Sequence, residues 1–75
     1  MSTEKFLNGF AKRVLYLRNE RKLSQEKFAF LCDIDRTYVG RIENLNRVPS
    51  IEIAYKIANG LGITVSELFD FEIEK

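Results

Sequence analysis

The 75-residue sequence contains no histidine, no tryptophan, a single cysteine, a single proline and a single methionine. One cysteine forbids an internal disulfide, and one cysteine without histidine excludes a zinc site of the usual ligand set. The chain also lacks the His or reactive Cys of common nucleophilic and acid–base catalysis, a glycine-rich phosphate loop and a suggestive carboxylate pair, so an enzyme is not expected. No cofactor and no metal is implied. No run of about 18 apolar residues is present, so nothing reads as a membrane span. Glu4 and Lys5 near the start, without a long apolar run, do not resemble a secretory signal, and the protein is expected in the cytoplasm. No segment alternates with period two, which leaves no strand candidate.

What is present is globular: 45% hydrophobic and 31% charged residues. The length suits one domain spanning 1–75, with a core small enough that self-association would be a natural way to bury more surface. Net charge is +1 but unevenly spread, about +4 over residues 1–47 and −3 over 48–75. A basic front and an acidic tail suit a protein that turns one face toward an anion. Ordinary solvated charge gives the same asymmetry, and on this feature alone that reading is favoured.

Apolar residues recur at helical spacing in five segments, which predicts an all-α, five-helix domain. Phe6, Phe10, Val14 and Leu17 trace one face of a helix over about 4–21. Ser24 caps a short helix carrying Phe28, Ala29, Leu31 and Cys32. Asp33-Ile34-Asp35 breaks it, and Asp35 caps a third helix from Arg36 to about Asn44. The segment from Asn44 to Pro49 reads as a loop. Ser50 caps a fourth helix whose buried face is read as Ile51, Ala54, Ile57, Ala58 and Leu61. Gly60 and Gly62 mark its end. Thr64 or Ser66 starts a fifth with Val65, Leu68 and Phe69. The tail from Asp70 to Lys75 is either frayed or paired at an interface.

Residues 24–44 carry the functional signal. Two short helices are joined by a tight turn, with small Ala29 where they cross and Asp33 where a left-handed backbone is needed. Val39 and Ile42, three apart, lock the second helix inward, leaving its outer face free for a DNA major groove. That face holds Arg36, Thr37, Tyr38, Gly40 and Arg41. Arg can bridge guanine O6 and N7, and Thr can touch a thymine methyl. Tyr38 can reach a phosphate or pack on a sugar. Gly40 is a poor helix former, and its lack of a side chain suits close approach of the backbone to DNA. Gln25 can offer its amide to a phosphate at a helix N-terminus. Asn44, Asn46 and Arg47 follow where a DNA strand would pass. The plainer alternative is a solvated charged face and a polar loop; the helix-turn-helix setting favours DNA contact for the arginines. Cys32 is read as a buried core thiol. Nine aromatics are many for so small a core, so Leu68, Phe69 and Phe71 are candidates for a dimer seam.

The stretch LSQEKFAFLCDIDRTYVGRIENLNRVPSIEIAYKIANGLGITVSELF, Leu23 to Phe69, about two thirds of the chain, resembles the phage-repressor and Cro type of helix-turn-helix domain, the XRE family. Within it, DRTYVGRIE is similar to controller proteins of restriction–modification systems. The resemblance implies five helices, dimerisation through the fourth and fifth (about 50–75), and base recognition by Arg36, Thr37 and Arg41. It implies backbone contacts from Gln25, Tyr38, Asn44 and Arg47, and an ion pair between Arg18 and Glu43. It further implies a dimeric regulator on pseudo-palindromic double-stranded DNA operators, with RNA polymerase as a further partner. The departures are Asp33, where Gly is common, and ENLNR, where many members carry Gly. An antitoxin or phage-type repressor that also binds a protein partner is the competing reading, weakened by the shortness of the tail.

Overall fold

A computed structural model describes residues 3–45 and 48–73. Over these residues the chain forms five helices and no strand: α1 Thr3–Glu20, α2 Gln25–Cys32, α3 Arg36–Glu43, α4 Ile51–Leu61 and α5 Val65–Leu68. Asn46 and Arg47, both assigned to DNA backbone contact from the sequence, lie outside the described residues.

Three of the four connections are one device used repeatedly. Each contains a left-handed residue, then an apolar residue, then the N-cap of the next helix: Lys22-Leu23-Ser24, Asp33-Ile34-Asp35 and Gly62-Ile63-Thr64. The left-handed residue has φ 56°, 56° and 71° respectively. In each, the amide of the apolar residue reaches back five positions, at 3.1, 3.0 and 3.0 Å, to a carbonyl of the preceding helix. This is the Schellman closure, which an apolar residue just after the left-handed one frequently accompanies. The same residue also precedes the next N-cap, where an apolar side chain fixes the entry angle of the following helix. Leu23, Ile34 and Ile63 therefore serve two helices each, and all three pack against the core.

The helix starts are capped as the sequence implies. Ser24 accepts from the Lys27 amide, Asp35 from Thr37, and Ser50 from Ile53. Thr64, not Ser66, caps α5, in a reciprocal box with Glu67. The Thr64 amide and hydroxyl both donate to Glu67, holding its carboxyl below the ordinary 4.5.

The core is built from Phe10, Val14 and Leu17 of α1, Phe28, Ala29 and Cys32 of α2, Val39 and Ile42 of α3, Ala54, Ile57, Ala58 and Leu61 of α4, and Leu68 of α5. Three expectations need correction. Ile51 does not join the buried face of α4: it is 91% exposed at the first position of that helix, and the buried face begins at Ala54. Leu68 is not free for a dimer seam, because it is fully buried in its own protomer. Gly60 is not a terminator but a contact. A Cβ there would lie 2.7 Å from the Cys32 Cα and the Leu31 carbonyl oxygen, so α2 and α4 touch backbone to backbone. Gly62 alone ends α4. Leu31 also turns outward, 43% exposed.

The segment after α5 folds back rather than fraying. The Phe71 ring lies over Gly9, where even a Cβ would come within 2.7 Å. Phe6, Phe10, Phe69 and Phe71 form one aromatic group with centroid separations of 5.1–6.4 Å. Arg13 Nη2 donates to the Glu67 carbonyl at 2.8 Å, tying the four-residue α5 to α1.

Candidate nucleic-acid interface

Helix α3 has one buried and one exposed face. Val39 and Ile42 are buried, 0% and 2% exposed, and hold it against the core. Opposite them, Arg36, Thr37, Arg41 and Asn44 are all exposed, with Gly40 between them. A Cβ on Gly40 would meet only the Gln25 amide group, at 3.9 Å, so this helix surface is bare backbone for lack of a side chain, not for lack of room. Tyr38, expected on the outer face, is instead half-buried and packs against the core.

The one acidic residue of α3 is turned away from this face and neutralised. Glu43 takes Arg18 side-on, Nε to Oε2 at 2.7 Å and Nη2 to Oε1 at 3.1 Å. The third nitrogen of Arg18 donates to the Leu23 carbonyl at 2.7 Å, in the turn before α2. Gln25 Nε2 donates to Glu43 Oε1 at 3.0 Å. With side chains only 13% and 6% exposed, the Arg18–Glu43 pair links α1, the α1–α2 turn, α2 and α3. Two forked charge-assisted bonds fix direction as well as distance. Arg18 and Glu43 are thus brought together as expected. Gln25 is found at the start of α2, and its side-chain amide donates to Glu43 and lies against Gly40 of α3.

The α2–α3 turn is set by Asp33 in the left-handed region, with Lys56 of α4 donating to its carbonyl at 3.5 Å. Cys32 behind it is 2% exposed, and burial pushes its thiol from 9.0 up to about 11. It stays a protonated core group rather than a nucleophile or ligand. Among the described residues no group of three or more His, Cys, Asp or Glu side chains could hold a metal, and no helix is long and apolar enough to cross a membrane.

A second surface was only partly legible in the sequence. An open groove of about 460 Å³ runs between α1, α4 and α5, lined by Phe6, Phe10, Val65 and Phe69 with Ile51 and Tyr55 at its side. Phe69 was singled out for an interface and is 36% exposed here, whereas Phe71 is half-buried on the far side of the aromatic group. Ile51, Tyr55 and Val65 fall inside the region of about 50–75 given to dimerisation but were not singled out, because periodicity assigns apolar residues to a face without saying what covers it.

Comparison with known proteins agrees with this geometry. Residues 14–68 match the HTH_3 helix-turn-helix family. The chain is 51% identical over 67 residues to control protein C.MunI from a Mycoplasma species, covering 88% of this chain and 89% of that one. It is 40% identical over 63 residues to control protein C.BamHI from Bacillus amyloliquefaciens, covering 83% and 78%. Among solved structures it resembles the restriction–modification controller protein C.AhdI from Aeromonas hydrophila, with a TM-score of 0.79 and 42% identity over 83% of this chain and 94% of that one. The chain belongs to the HTH_3 family of helix-turn-helix proteins, as a relative of the controller proteins of restriction–modification systems.

Proposed function

We propose that this protein is a sequence-specific, DNA-binding transcription regulator that controls a restriction–modification system, its own gene included, as a cytoplasmic homodimer. The observation that carries the reading is the exposed face of α3. Arg36, Thr37 and Arg41 stand clear of the body on a helix locked by Val39 and Ile42 and clamped by Arg18 and Glu43. Side chains held in this way reach base edges in a major groove. Asn44, and Gln25 at the N-terminus of α2, flank that face where phosphates would pass, and Tyr38 adds a half-buried phenol at its edge.

The groove between α1, α4 and α5 supports the dimer. A two-fold interface must be self-complementary, because the same patch faces itself. Ile51 is a protruding apolar knob beside an apolar groove, so one protomer carries both halves of the fit. Two copies would then present recognition helices about 34 Å apart on a pseudo-palindromic site. Bound upstream of its own gene, such a dimer represses by obstructing RNA polymerase or activates by contacting it. The competing reading, an antitoxin with a protein-binding tail, is disfavoured because Phe71 packs on Gly9 of the same chain.

The test is an anisotropy titration against duplex DNA from immediately upstream of the gene, with a scrambled duplex as control, at two salt concentrations. Tight, salt-sensitive and sequence-selective binding of two protomers is expected. Equal affinity for the scrambled duplex would overturn the reading.

A further inference from the structure

We infer that Leu45 is a dimer-contact residue, which ties the loop following the recognition helix to the partner copy; the inference rests on the dimer reading above. Four non-glycine and glycine residues among those described adopt a left-handed backbone: Lys22, Asp33, Leu45 and Gly62. Three of them are exposed residues whose side chains, where present, are polar and need no burial. Leu45, with φ 61°, is different. A leucine is strained in this region, and Gly or Asn would make the same turn with less strain. Nor does the protomer repay the strain with full burial, since Leu45 remains 46% exposed.

Its surroundings say what covers the remainder. Leu45 borders a shallow cleft together with Glu4, Leu7 and Val48. Leu7 and Val48 also line the apolar groove beside Ile51. The cleft at Leu45 and the groove at Ile51 and Phe69 therefore adjoin through Leu7 and Val48, and Val48 is 66% exposed. A second copy seated on the groove through the Ile51 knob lies against this extension as well. Asn44, a DNA-facing residue, precedes Leu45 directly, and the Leu45 amide donates to the Ile42 carbonyl at 3.1 Å. Burying Leu45 in the dimer would hold the end of α3 in its capped form. Dimerisation then orders part of the DNA-binding surface as well as doubling it.

The experiment compares wild type with Leu45→Gly and Leu45→Asn by sedimentation equilibrium. Thermal unfolding is followed at dilution where the protein is monomeric, and amide exchange at Leu45 in wild type is followed as a function of concentration. Both variants tolerate the left-handed backbone, and the monomer melting temperature reads whether losing the side chain weakens the protomer itself. The expected result is a dimer weakened about tenfold or more, as for loss of one buried leucine side chain. The monomer melting temperature should be unchanged or raised, and Leu45 exchange in wild type should slow as the dimer forms. If both variants dimerise as wild type does, or if the monomer is destabilised while the dimer constant holds, Leu45 serves only its own protomer and the inference falls. A wild type that stays monomeric at every concentration defeats the dimer reading itself, and this inference with it.

Discussion

The Glu43 carboxylate accepts three side-chain hydrogen bonds, two from Arg18 and one from Gln25, while 6% exposed. Removing one member of such a pair strands the other charge in a poorly solvated place. Glu43→Ala should therefore cost about 3 kcal/mol, lowering Tm by more than about 10 °C, readable by thermal unfolding. Replacing both partners together, Arg18→Met with Glu43→Leu, should recover most of the loss, because a matched apolar pair of similar volume needs no desolvation. Recovery no better than the single variant would mean that the Arg18 bond to the Leu23 carbonyl is the larger contribution. Arg36 and Arg41 behave oppositely. Both are exposed, and neither is needed by the core. Arg36→Ala and Arg41→Ala should each weaken operator binding by about 1–3 kcal/mol with Tm unchanged, measured by anisotropy and calorimetry side by side. Wild-type affinity in both variants would remove the assignment of the recognition face. The frame that presents Arg36 and Arg41 was legible in the sequence because its signals are local: a cap, a left-handed Asp, two anchors three apart. The Arg18–Glu43 pair, 25 residues apart, came only from the family resemblance. The Arg13 bond to the Glu67 carbonyl joins residues 54 apart, and no local pattern announces it.

At the scale of the element, two glycines inside helices make opposite demands. A Cβ at Gly60 would come within 2.7 Å of backbone atoms on α2, which cannot swing aside as a side-chain tip can. Gly60→Ala should push α2 from α4 and destabilise the fold by about 1–3 kcal/mol. At Gly40 the nearest atoms are 3.9 Å away, at the end of the Gln25 side chain. Gly40→Ala should stabilise the free protein by about 1 kcal/mol, the helix-propensity difference. If the bare backbone there serves close approach to DNA, the same variant binds operator less well despite its higher Tm. Urea denaturation and a binding titration on both variants check the pair, and a stabilised Gly60→Ala would refute the close approach of the two helices. The contrast also explains why the sequence misled at Gly60. Two glycines two residues apart near a helix end look like one stop signal, yet only Gly62 has the left-handed φ that stops a helix. The turns escaped in part for a similar reason: Lys22 has no side-chain preference for the left-handed region, so only the structure reveals that it repeats the geometry of Asp33 and Gly62.

Across the whole molecule, the proposed function divides labour between the two surfaces: the α1–α4–α5 groove would set how many copies of the α3 face engage DNA. Ile51 offers a clean separation of the two, because it is 91% exposed and contributes nothing to the protomer's core. Ile51→Glu should leave helix content unchanged by circular dichroism and abolish the rise of Tm with protein concentration that a dimer shows by mass action. Its effect on DNA follows from counting phosphates. Each protomer releases its own share of counterions, so the slope of log affinity against log salt scales with the number of phosphate contacts in the complex. A monomeric Ile51→Glu variant should bind a single half-site with about half the wild-type salt slope, and should lose selectivity for the intact palindrome over the half-site. Titrations at several salt concentrations against both duplexes read all of these quantities. An unchanged slope with an unchanged preference for the palindrome would mean that the dimer assembles through another surface, and that the Ile51 knob and its groove are available to a different partner.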